Sequence, residues 1–185
     1  MSSNTKQKLL LHTCCAPCFT SAFDALKTDY DVTIFWFNPN IYPKTEHDKR
    51  FFELDRYAKI VNTPIIVGDI NENIISSWES NTSSISDQSE GGPRCKSCIS
   101  FRLEETAKIA KAKGFDCFAT TLTVSPHKNA KMINDLGQSL MNDLGIKYLI
   151  SDFKKHDGYL KSIRICREYN IYRQNYCGCA RSKEN

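Results

Sequence analysis

Short apolar runs alternate along this chain with longer stretches in which apolar residues recur every three or four positions. Residues 8–12 (KLLLH) read as a strand, the loop CCAPC follows, and a helix is expected from about Phe19 to Lys27. Residues 32–37 (VTIFWF) are apolar at successive positions, which marks a strand covered on both faces. Between 46 and 61, Phe51, Leu54, Tyr57, Ala58 and Val61 form one helical stripe. A strand at 64–67, a short helix at 70–78, a helix at 98–113 ended by Gly114, and a strand at 115–120 continue the alternation. A helix at 129–142 with Gly145 just beyond it, a strand at 146–150 and a helix at 158–169 complete it. Only 80–93 (SNTSSISDQSEGGP), polar and rich in small residues, breaks the rhythm. It reads as a long loop, either a lid over a site or idle surface.

Buried strands alternating with helices predict an α/β fold, a Rossmann-like parallel sheet with helices on both faces, in one domain spanning 1–185. Such sheets gather ligands at the carboxyl ends of their strands. Three polar segments follow strands there: CCAPC, 120–129 (TTLTVSPHKN) and 151–155 (SDFKK).

Composition adds chemistry to that rim. The run Leu9, Leu10, Leu11 is too short for a signal-peptide core or a membrane span, so no membrane role is expected and the chain reads as cytoplasmic, with reduced thiols. Nine cysteines are present, and seven fall in three clusters at 14–18, 95–98 and 177–179. These are Cys14, Cys15 and Cys18; Cys95 and Cys98; Cys177 and Cys179. Clustered thiols in a reducing compartment point to metal rather than to bridges. Two Cys-x2-Cys pairs would make a four-sulfur zinc site but would leave Cys14, Cys177 and Cys179 idle. Adjacent Cys14 and Cys15 are expected to diverge, which suits two neighbouring centres. Seven thiolates divide into four for an iron–sulfur cubane and three for a further metal with an open position. Cys117 and Cys166, isolated, read as small buried hydrophobes. No Cys-x3-Cys-x2-Cys run, GxGxxG or Walker-type loop is present, which argues against radical S-adenosylmethionine, dehydrogenase and kinase chemistry. A thioredoxin-like use of Cys15 and Cys18 would explain two cysteines only.

Charge is uneven. Residues 125–185 carry eleven Lys and Arg against six Asp and Glu, a local excess of five that suits a polyanion such as RNA. A solvated basic surface is the plainer account of the same excess.

The stretches HTCCAPC, FNPNIYPKTEHDKR, EGGPRCKSCISFRLEETAKIAKAKGFDCFATTLTVSPHKN and SDFKKHDGYLKSIRICREYNIYRQNYCGC, in this order and spacing, resemble the non-cobalamin (QueH-type) epoxyqueuosine reductases along nearly the whole chain. The resemblance implies an adenine-nucleotide α-hydrolase (HUP-like) fold and an enzyme that reduces the epoxide of epoxyqueuosine to queuosine in the anticodon loop of transfer RNA. It implies a [4Fe–4S] cluster beside a mononuclear iron, and an electron donor that the sequence does not identify. The chain departs from the family pattern at Glu46-His47, where Glu-Tyr is expected.

Removing the epoxide oxygen needs an acid, and the candidates are Asp152, His12 and Glu90. Asp152 has the plainer role of capping a turn, and His12 that of a satisfied buried histidine. RNA grip is expected from Lys128, Lys154, Lys155 and Arg173, with Tyr172, Tyr176 and Trp36 for stacking. Arg50, Arg94 and Arg102 are expected either to pair with carboxylates or to offset the charge of a cluster. Two other functions compete: a zinc-stabilised RNA-binding module, and a thiol or sulfur-transfer enzyme acting on transfer RNA.

Overall fold

Strand β1 (Gln7–His12) buries its last four residues completely, and its three leucines sit at the middle of the protein. Burying each contributes about 1.5–3 kcal/mol. In the computed structural model, which describes residues 5–83 and 90–183, β1 pairs in parallel with β2 (Tyr30–Trp36) on one side and β4 (Cys117–Thr120) on the other. β3 (Ile65–Val67) extends the sheet beyond β2, and β5 (Lys147–Tyr148) beyond β4, giving the order β3-β2-β1-β4-β5.

Period-two alternation divides the strand residues between two layers. Leu9, Leu11, Ile34, Trp36 and Ala119 face α1 (Ala16–Leu26), α2 (Lys44–Ile60) and α6 (Gly158–Glu168). Leu10, Phe35, Phe37, Phe118 and Tyr148 face α4 (Pro93–Ala112) and α5 (Ala130–Leu144), with α3 (Glu72–Ser83) against α4. The expected α/β architecture is therefore present. No helix among the described residues is long and apolar enough to cross a membrane.

Two helix starts differ from the sequence expectation, and both matter to the site. α1 begins at Ala16 rather than near Phe19, because Cys15 is an extended N-cap and Pro17 lies in the first turn, where its missing N–H costs nothing. α4 begins at Pro93 for the same reason, with Gly92 as its extended N-cap. The expected loop at 80–93 is also partly helix. α3 continues to Ser83, since the hydroxyls of Ser80 and Thr82 bond back to the carbonyls of Ser76 (2.8 Å) and Trp78 (3.0 Å). Residues 84–89 of that segment lie outside the described residues.

A short 3-10 turn, Thr121–Val124, follows β4 and was not anticipated. A four-residue helix, α7 (Ala180–Lys183), follows the last cysteine pair.

Candidate metal centre

The sheet grows in opposite directions from β1 and β4, so the crevice beyond their carboxyl ends is the switch point of the fold. His12 Nδ1 lies 2.9 Å from Thr120 Oγ1 across that junction. One residue on, Thr13 N–H still donates to Phe35 O (2.9 Å), and then the chain leaves the sheet. Cys14 N–H donates to Thr121 Oγ1 (3.3 Å), Cys15 caps α1, and Cys18 stands on its first turn.

This tight turn gathers the sulfurs of Cys14, Cys15 and Cys18 within 4.8 Å of one another. Cys14 Sγ and Cys15 Sγ are 3.7 Å apart. The expectation that adjacent cysteines diverge is corrected here. It holds along a straight strand, whereas these two straddle a strand-to-helix turn. The trio is electrically asymmetric. Hydrogen bonds from the Cys15 and Cys18 thiols, aided by Thr121, hold Cys14 well below the usual thiol range against the cost of burial. Hydrogen bonding to Cys14 and its charge push Cys18 up, and Cys15 rises against the same neighbour. One thiol of the three is thus held low while its two neighbours are held high.

The other two clusters arrive from opposite sides. Cys95 and Cys98 sit three apart at the start of α4 and so face the same way. Gly91 N–H donates to Cys95 Sγ at 3.3 Å. Cys177 and Cys179 are held by Arg50, which donates to the carbonyls of Cys177 (3.0 Å) and Tyr176 (3.2 Å) while paired with Glu46 at 2.7 Å. Between them Gly178 adopts φ 124°, and a Cβ there would come within 3.1 Å of both Arg50 Nη1 and Ile41. Only glycine lets the segment lie this close to α2.

Cations meet the sulfurs individually. Lys128 Nζ is 3.3 Å from Cys177 Sγ, and Arg94 Nη1 is 3.2 Å from Cys179 Sγ. Although burial opposes ionisation, the bonds from Ser182 and Arg94 hold Cys179 below the ordinary thiol range. Burial pushes Cys98 up. Arg102, 2% exposed, donates to Cys98 O (3.3 Å) and Asn38 Oδ1 (3.4 Å). Burial acts against its charge, and the thiols of Cys98, Cys177 and Cys14 together sustain it. All three clusters therefore act on one buried guanidinium.

All nine cysteines are unbridged. Among the described residues the 14/15/18 trio is the one group of three metal-ligand atoms within 4.8 Å. Cys117 and Cys166 are buried away from it, as expected of packing residues.

A cavity of about 530 Å³ opens on this edge, with Cys14, Cys18 and Cys177 in its walls. Glu90, Lys128, Arg173 and Tyr176 also line it; His12 and Asp152 do not. His12 is fully buried, and burial beside Arg102 lowers its pKa to about 3, so it is neutral. Asp152 lies between Lys154 (3.9 Å) and Lys155 (3.8 Å). Several expected RNA contacts have partners within the protein. Lys128 is spent on Cys177, Lys154 Nζ donates to Lys128 O (2.8 Å), and Tyr172 OH donates to Glu46 (3.2 Å). Lys155 remains largely exposed. Trp36 is a correction: it is 1% exposed, and its Nε1–H donates to His47 Nε2 at 3.1 Å, so its ring is core and not a stacking surface. The departure from the family pattern at His47 thus falls on this internal contact, while Glu46 anchors Arg50.

Asn38, Asn40, Thr121 and Gln174 were not singled out from the sequence. Asn38 and Asn40 lie in NPN directly after an apolar strand, and their place after a strand end was the one available signal.

A doubly wound parallel sheet with a thiol-lined cavity at its switch point defines the class of this molecule. Solved structures share the architecture. A predicted subunit of tRNA methyltransferase from Methanocaldococcus jannaschii matches with TM-score 0.53 and 15% identity over 90% of this chain and 93% of that one. The U34-tRNA thiolase NcsA from Methanococcus maripaludis, solved with its [4Fe-4S] cluster, matches with TM-score 0.57 and 10% identity over 93% and 60%. The family described as Epoxyqueuosine reductase QueH matches residues 9–185. Proteins of that name from Streptococcus pyogenes serotype M1 and Thermotoga maritima are 40% and 38% identical, over 95% and 92% of this chain and 70% and 88% of theirs. The chain belongs to the epoxyqueuosine reductase QueH family.

Proposed function

We propose that this protein reduces the epoxide of epoxyqueuosine to queuosine in transfer RNA, using iron held by the seven clustered thiols. The observation that carries the reading is the Cys14, Cys15, Cys18 trio, its sulfurs within 4.8 Å of one another and Cys14 and Cys18 on the wall of a large cavity. Metal–sulfur bonds of about 2.3 Å in a tetrahedral site put neighbouring sulfurs about 3.8 Å apart. The 3.7 Å between Cys14 and Cys15 fits that spacing, so this trio would hold the single iron. Cys95, Cys98, Cys177 and Cys179 would hold the [4Fe–4S] cluster, a group that the structural neighbour NcsA carries on a similar fold. Bound there, these centres supply single electrons and a Lewis-acidic position for the epoxide oxygen.

The protein's own groups do the rest. Arg94, Arg102 and Lys128 offset the negative charge of the thiolates in a buried setting. Glu90 faces the cavity and is the proton donor to the departing oxygen. Neutral His12 instead ties the ends of β1 and β4 together. Arg173 and Tyr176 at the cavity wall, with exposed Lys155, contact the anticodon loop, whose unpaired nucleotide enters at small cost. Electrons come from a separate donor, and free thiols suit the reducing cytoplasm.

Anaerobically purified protein is expected to be brown, with broad absorbance near about 400 nm. Incubation with epoxyqueuosine-containing RNA and a chemical reductant should yield queuosine by nucleoside mass spectrometry. Unchanged epoxide with a reducible cluster present would refute the assignment. A colourless protein with stoichiometric zinc would favour the RNA-binding module.

A further inference from the structure

Two asparagines follow β2, and they differ sharply. Asn38 is satisfied on both sides, donating to Thr13 O (2.9 Å) and accepting from Arg102 (3.4 Å). Asn40 is 2% exposed, yet its Oδ1 has no hydrogen-bond partner among the described residues. On the opposite segment, Gln174 Oε1 is likewise buried and without a partner among the described residues. Both residues line the thiol cavity. Asn40 is seated against the Cys177–Cys179 turn, since a Cβ on Gly178 would stand 3.5 Å from its Nδ2. A buried carbonyl left unpaired is unfavourable, and native proteins rarely keep one without a partner.

We infer that Asn40 and Gln174 are substrate-positioning acceptors that take two hydrogen bonds from donor groups of the modified nucleotide. The inference rests on the reading that this cavity receives epoxyqueuosine. That nucleotide has two places where adjacent donors occur. One is the N1–H and 2-amino edge of its deazaguanine base; the other is the cis-diol of its five-membered ring. Two acceptors left without a protein partner on the cavity wall suit such a pair, and they penalise a ligand that lacks one donor.

The test is competition binding on the metal-loaded full chain under anaerobic conditions. A fluorescent anticodon stem-loop carrying epoxyqueuosine is displaced by unlabelled stem-loops. One pair of competitors compares guanosine with inosine at the modified position, which removes only the 2-amino donor. A second pair compares queuosine with the 7-aminomethyl-7-deazaguanine nucleoside, which lacks the diol ring. The unaltered protein should favour the donor-bearing member of at least one pair by about tenfold. Asn40→Leu and Gln174→Met should reduce that preference to about twofold or less, while Asn40→Asp, which keeps an acceptor, retains it. Iron per chain and melting temperature report folding, and Gln174→Met carries the test alone if Asn40→Leu does not fold.

Loss of the guanosine preference assigns the pair to the base; loss of the queuosine preference assigns it to the diol. Variants that discriminate like the unaltered protein, or an unaltered protein that discriminates in neither pair, would overturn the inference while leaving the reductase reading intact. Failure of the unaltered protein to bind any stem-loop would overturn both.

Discussion

Cys117 lies on β4 and Cys14 just past the end of the adjacent β1, yet the two thiols are opposite in character. Cys117 opens β4, opposite Leu9, and burial pushes its thiol up to about 11. At Cys14, hydrogen bonds from two thiols and Thr121 hold the sulfur well below the usual thiol range. Desolvation opposes ionisation in both. The difference lies in hydrogen-bond donors, which the carboxyl end of the sheet supplies through loops and helix starts and the amino end does not.

Exchanging residues between these two settings tests the contrast most severely. Cys14→Ser or Cys15→Ser should lower iron content and cut turnover by more than about 100-fold, because a hydroxyl is a poor soft-metal ligand. Cys117→Ala should keep iron and turnover within about twofold and cost about 1 kcal/mol by denaturant unfolding. Equal effects at both positions would erase the distinction.

Arg50→Gln comes next. It releases the carbonyls of Tyr176 and Cys177 and leaves Glu46 without its cation. Support contacts around metal ligands are worth about 10–100-fold in affinity or activity, so iron retention against a chelator should fall by that order.

A smaller, pH-dependent effect is expected at Arg94. Its guanidinium helps hold Cys179 low, and metal uptake requires the thiolate. Arg94→Gln therefore raises the Cys179 thiol and moves the pH profile of iron loading upward, read by absorbance during reconstitution. A profile that stays in place would show that the guanidinium does not govern this sulfur.

The smallest effects lie outside the crevice. Lys155→Ala should weaken RNA binding about twofold and lower the salt-dependence slope by about one, as loss of a single phosphate contact does. Trp36→Phe should leave RNA binding unchanged and cost about 1–2 kcal/mol of stability, because Trp36 is core.

Much of this architecture was legible in the sequence. The apolar triplet before CCAPC and the unbroken apolar run VTIFWF mark central strands with little ambiguity. Boundaries were less legible. Cys15, Cys18, Cys95 and Cys98 sit at helix starts, where prolines were read as loop residues although they occupy first turns. Among the site residues, cysteines announce themselves by clustering, whereas an asparagine after a strand resembles any loop residue. Trp36 shows the converse error, an aromatic taken for surface that the sheet places inside.

By itself the sequence determined the alternation of elements, the number and grouping of the thiols, and the family, since local periodicity and spacing are properties of the chain alone. Tertiary structure decided which sulfurs are held low, which cation meets each cluster, and which polar groups line the cavity. Those outcomes depend on distances between segments more than 80 residues apart, such as Arg94 and Cys179, and such distances exist only after the chain has closed.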